Sequence, residues 1–151
     1  MSSLTTAQTR NAVEALIPFY ERLRPEDVSR FGEFYATEAS FRDPFNHVGN
    51  LQGIQRIFAH MFTQVHDPAF KVTRYLVGEG DAVLFWTFSF RFKGLGCKKS
   101  AVSLEGVSHL AFNEMGQVTL HRDYWDAAEE LYSRIPLIGV MMRGLQRMIR
   151  A

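Results

Sequence analysis

Two short stretches put carboxylates where water should be scarce. Side chains alternate along a strand, so FRDPF (41–45) sets Phe41, Asp43 and Phe45 on one face. HRDYWD (121–126) does the same with His121, Asp123 and Trp125. An ionised carboxylate among rings is costly unless it is paired, hydrogen-bonded or protonated. Desolvation also lifts its pKa toward neutrality, which is what a general base or acid at working pH requires. Asp43 and Asp123 are therefore candidate bases, for a proton on an acidic carbon or on a water. Tyr20, Ser108 and His121 are candidate stabilisers of the oxyanion that such a step creates.

Each residue also has a purely structural reading. Asp before Pro is common in turns, where the carboxylate caps nearby amides. Asp123 can be half of an ion pair with a neighbouring arginine such as Arg91. His121 can be a hydrogen-bonded residue at a pocket edge, and Tyr20, which ends an apolar helical stripe, can be core. His47, His60 and His66 fall on separate elements without ligand spacing, so no metal is expected. The single cysteine, Cys97, excludes a disulfide framework and a thiolate zinc site and reads as a surface thiol. No cofactor is expected.

The elements that must position these residues follow from periodicity. Thr5 and Gln8 form a capping-box pattern, and Val13, Leu16, Ile17 and Tyr20 follow at helical spacing across Pro18. VSRFGEFYA (28–36), after Pro25, reads as a second short helix, SFRDPFNHVG as a hairpin, and 51–66 as a third helix. After HDP (66–68) the period becomes two, predicting strands at 69–78, 82–93, 100–113 and 117–126, with turns at GEGD, KGLG and NEMG. Helices followed by a long antiparallel meander make an α+β fold, a curved sheet wrapped around helices. On 83–92, Trp86, Phe88, Phe90 and Phe92 share one face and Phe85, Thr87, Ser89 and Arg91 the other. Neither face suits water alone, so one should meet the helices and the other a second subunit, making a homodimer. Phe41, Phe45, Phe85, Ser89, Arg91, Ser108 and Trp125 are read as ligand-binding walls.

The 151 residues carry 17 basic and 16 acidic side chains and are 46% apolar, which suits one domain over 1–151. Near-balanced charge gives no reason to expect nucleic acid. The polar N-terminus lacks a signal-peptide core, which favours the cytoplasm. Residues 128–151 read as a basic amphipathic helical tail, expected to cap the barrel or a dimer seam. Membrane association is not expected.

YATEASFRDPFNHVGNLQGIQRIFAHMF, with the meander and HRDYWD, resembles the nuclear transport factor 2-like superfamily, which includes SnoaL-like polyketide cyclases and ketosteroid isomerases. The resemblance spans about residues 8–127. It implies a cone-shaped α+β barrel and a pocket for an apolar small molecule. In ketosteroid isomerases the aspartate of a similar Asp-Pro hairpin is the base, matching Asp43. Their helix-one tyrosine matches Tyr20, and their second oxyanion donor falls at Ser108. In limonene-epoxide hydrolases a similar Arg-Asp-Tyr-aromatic-Asp strand supplies a catalytic aspartate, matching Asp123. The resemblance thus implies an isomerase or cyclase acting on a carbonyl-bearing polyketide, steroid or terpenoid, without a cofactor. The alternatives are a non-catalytic ligand-binding or dimerisation module and epoxide-hydrolase-like water activation.

Overall fold

A computed structural model describes residues 3–93, 101–130 and 136–149. Helix α1, Thr6–Glu21, opens on the expected capping box: the Thr5 hydroxyl accepts from the Gln8 amide, and the Gln8 side chain accepts from the Thr5 amide. Pro18 removes one amide donor near the C-terminal end, yet the helix runs on to Glu21. Val13, Leu16, Phe19 and Tyr20 form its buried stripe.

The second helix differs from expectation. Pro25–Glu33 is a 3₁₀ segment, and the chain then turns extended, so Tyr35 opens strand β1, Tyr35–Arg42. Strand β2, His47–Val48, completes the hairpin, and helix α2 follows over Leu51–Gln64, capped by Asn50. Strand β3, Val65–Val77, begins four residues before the expected start. The apparent break at HDP is a bulge within the strand, with Asp67 at φ 49° and the register shifting between His66 and Ala69. Pro68 is tolerated there because β3 lies at the sheet edge.

Strands β4, Asp81–Phe92, β5, Val102–Phe112, and β6, Val118–Trp125, give a six-stranded sheet of order β2-β1-β6-β5-β4-β3. All neighbours are antiparallel except β1 and β6, which are parallel. The sheet is curved and unclosed, and the N-terminal helices pack on its inner face. The GEGD and NEMG turns form as expected, with Gly80 and Gly116 at positive φ. The rest of the KGLG turn, Cys97 and the expected strand start at Ser100 lie outside the described residues.

The reading of Phe85, Ser89 and Arg91 as ligand-binding walls needs correction. Trp86, Phe88 and Phe90 face the helices and join the core clusters, whereas Phe85, Ser89 and Arg91 are on the opposite face. Phe85 lies beneath the Arg74 guanidinium, and Arg91 pairs with Asp67 rather than Asp123. The tail forms two helices, α3, Ala127–Glu130, and α4, Pro136–Ile149. Among the described residues, no helix is long and apolar enough to cross a membrane.

Candidate active site

The register of β5 against β6 brings the inward residues together in pairs. Ser108 stands opposite Asp123, Leu110 opposite His121 and Gly106 opposite Trp125. Across the parallel pairing, Phe41 of β1 lies beside His121. These strands and α1 and α2 enclose a cavity of about 490 Å³ with largely aromatic and aliphatic walls.

One hydrogen-bonded chain crosses its inner end. The Trp86 indole N–H donates to Ser108 Oγ at 2.8 Å, and that hydroxyl donates to Asp123 Oδ1 at 2.5 Å. His121 Nε2 lies 2.7 Å from the same oxygen. Its Nδ1 lies 2.6 Å from the Tyr35 hydroxyl, which in turn hydrogen-bonds the Tyr20 hydroxyl. One arrangement of protons satisfies every link. His121 carries its proton on Nε2 and donates to an ionised Asp123, Tyr35 donates to Nδ1, and Tyr20 donates to Tyr35. Asp123 Oδ1 thus accepts two bonds, and no described residue donates to Oδ2.

Packing fixes the members of this chain. The His121 ring meets Phe41 edge-on at 4.8 Å between centroids and stacks near Tyr35 at 6.1 Å. Gly106 makes room for the Trp86 indole: a Cβ there would stand 2.3 Å from Cη2, so only glycine lets the indole reach Ser108. The His121 and Asp123 side chains are 5% and 17% exposed. Burial pushes the Tyr20 and Tyr35 phenols well above their ordinary pKa, and the Asp123 charge pushes both the same way. Both therefore keep their protons across the working range.

Asp43 has the other role its sequence allowed. Its Oδ1 accepts from the amides of Phe45 and Asn46 at 2.7 and 2.6 Å, and Asn46 Nδ2 donates to both carboxylate oxygens. It borders the cavity but is committed to its turn. Phe45 and Trp125 meet edge-on at 5.5 Å beside it, with Phe45 half exposed.

Of the residues singled out in the sequence, Tyr20, Phe41, Asp43, Phe45, Ser108, His121, Asp123 and Trp125 line this cavity. Phe85, Ser89 and Arg91 do not, because alternation places them on the sheet's outer face; Trp86, Phe88 and Phe90 take those walls. Sequence reasoning also missed Tyr35, hidden inside an expected helix although it shares parity with Phe41 and Asp43. It missed Arg56 as well, an exposed residue of α2 that contributes a cation to the cavity wall. Among the described residues, no cluster of three or more His, Cys, Asp or Glu is placed to hold a metal ion.

A family model for the SnoaL-like domain matches residues 17–121. No protein of curated function matches the chain in sequence. Solved structures share the fold at low identity. A Shewanella putrefaciens protein assigned as a SnoaL-like polyketide cyclase superposes with a TM-score of 0.69 at 15% identity, covering 86% of this chain and 97% of that one. An epoxide hydrolase of the limonene-epoxide-hydrolase-like kind from M. tuberculosis gives 0.65 at 16% identity, over 93% and 94%. TsrD from Streptomyces laurentii gives 0.65 at 19% identity, over 87% and 96%.

Proposed function

The chain belongs to the SnoaL-like domain family, and on that premise we propose that it is a proton-transfer enzyme, an isomerase or cyclase acting on an apolar, carbonyl-bearing molecule of polyketide, steroid or terpenoid type. The observation that carries this reading is the polarity of the buried chain. Asp123, His121 and Tyr20 line the cavity, and Tyr35, behind its wall, links His121 to Tyr20.

In this reading Asp123, held by Ser108 and His121, takes a proton from the carbon beside a substrate carbonyl through Oδ2. The C–H electron pair moves into the carbonyl, and the Tyr20 hydroxyl turns its proton from Tyr35 into the cavity to donate a hydrogen bond to the resulting enolate oxygen. Asp123 then returns its proton. It goes to another carbon in an isomerisation, or to the alkoxide formed when the enolate carbon attacks a second carbonyl in a cyclisation. Phe41, Phe88, Phe90 and Trp125 exclude water and suit a flat, apolar body. The proposal includes a homodimer, with its seam on the outer face of β4 around Phe85, Thr87 and Ser89.

The test is solvent deuterium exchange at the carbon beside the carbonyl of apolar polycyclic ketones, followed by NMR. The wild-type protein should catalyse exchange, and Asp123→Asn should slow it by about 10²–10⁴-fold while tryptophan quenching still reports binding. Ligands that bind without catalysed exchange in the wild-type protein would leave a binding module in place of an enzyme.

A further inference from the structure

We propose that Arg56 makes the cavity selective for ligands that carry a carboxylate at the end away from the carbonyl. As a statement about substrate, this rests on the isomerase or cyclase reading above. Gly53, Arg56, Ile57, His60 and Met61 line the cavity, and their spacing of three and four residues puts them on one face of α2. Arg56 and His60 are exposed, whereas Tyr20 is buried and Asp123 nearly so. The cation therefore stands at the solvent rim and the reacting groups at the inner end. Every acid in the same wall is already engaged. Glu21 Oε1 accepts from the Val72 amide at 2.9 Å, Asp43 is held by its turn, and Asp123 by Ser108 and His121. Among the described residues Arg56 is the only arginine or lysine in the wall, and it has no ion pair or side-chain hydrogen bond there.

The two ends of the cavity then sort a ligand that has two polar groups. A carboxylate pushed to the inner end would lose its hydration among apolar walls and would meet the charge of Asp123. At the rim it keeps part of its water and accepts two parallel N–H bonds from the guanidinium fork. His60, one turn further along α2, can add a ring N–H. One full positive charge matches one carboxylate and leaves a phosphate dianion under-neutralised. Anchored this way, the ligand presents its carbonyl end to Asp123 and Tyr20. The volume of about 490 Å³ is in the range that encloses a multi-ring body between those two ends.

The probes are a steroid with a ketone on its first ring and a carboxylate on its last, and the methyl ester of the same acid. Each is titrated against the full chain by quenching of Trp86 and Trp125, which both line the cavity. Arg56→Gln should weaken binding of the acid about tenfold and leave the ester within about twofold of wild type. Arg56→Lys should restore part of the loss, because it keeps the charge without the fork. The exposed side chain makes no described bond, so both variants should keep the wild-type melting temperature. An acid that binds Arg56→Gln as well as wild type, an equal loss for acid and ester, or no binding of either probe to wild type would overturn the proposal. Binding needs no turnover, so the two readings fail separately. Arg56-dependent binding of the acid without catalysed deuterium exchange would support the selectivity and remove the enzyme. Exchange catalysed alike on acid and ester, by wild type and Arg56→Gln, would keep the enzyme and remove the selectivity.

Discussion

Raising the pH should unfold this protein through two buried phenols. Tyr20 and Tyr35 are 5% and 1% exposed. Desolvation is the largest influence on each and raises both pKa values; the hydrogen bond with Tyr35 offsets only part of this at Tyr20. An unfolded chain releases its tyrosine protons near pH 10. Below that, folded and unfolded states hold both protons and the contribution of the pair is fully present. Above it, the unfolded state loses two protons that the folded state retains, so stability falls as pH rises. Two groups at 1.36 kcal/mol per unit give a slope of about 2.7 kcal/mol per pH unit. That is steep enough to exhaust a stability of about 5–15 kcal/mol within a few units. Urea unfolding at a series of alkaline pH values measures the slope directly, and Tyr20→Phe or Tyr35→Phe should each cut it to about 1.4 kcal/mol per unit. A slope that neither phenylalanine variant changes would refute the reasoning. So would a native protein whose phenolate absorbance accounts for all five tyrosines near pH 10.

Gly106→Ala should destabilise the fold by about 1–3 kcal/mol through overpacking. It should also shift tryptophan emission as the indole leaves Ser108, since the new Cβ would lie 2.3 Å from Trp86. Asp43→Ala should cost about 1–3 kcal/mol in thermal or urea unfolding, because the Phe45 and Asn46 amides lose their acceptor. It should leave the deuterium exchange proposed for Asp123 within a few-fold of wild type.

What the sequence allowed and withheld can be traced to single residues. The alternation in HRDYWD located His121, Asp123 and Trp125 on the inner face, because a carboxylate and an imidazole beside a tryptophan gain only where they meet each other. On β4 alternation separated the two faces without orienting them, since Phe85 is as apolar as Phe88. What decides the matter is Gly106, whose missing side chain admits Trp86 from the adjacent strand, a contact that no local pattern contains. Asp43 and Asp123 occupy the same kind of aromatic setting. They are told apart by Asn46, whose amide and side chain claim the first carboxylate. Tyr35 was obscured because a 3₁₀ turn and a strand start met within a stretch that reads as one short helix.

The placement of β6 governs how this molecule assembles. It is the last of the described strands, yet it lies between β1 and β5 and holds the only parallel pairing among them. During synthesis the N-terminal hairpin therefore has no edge to join until residues 118–125 have emerged. The Tyr20 and Tyr35 hydroxyls wait equally long for His121. The two halves of the site are some hundred residues apart in the chain, so closing the sheet carries a large loop entropy and should be a late event in folding. A nascent chain halted before Val118 should hold the meander of β3, β4 and β5 with a detached hairpin, leaving its aromatic interior open to chaperones.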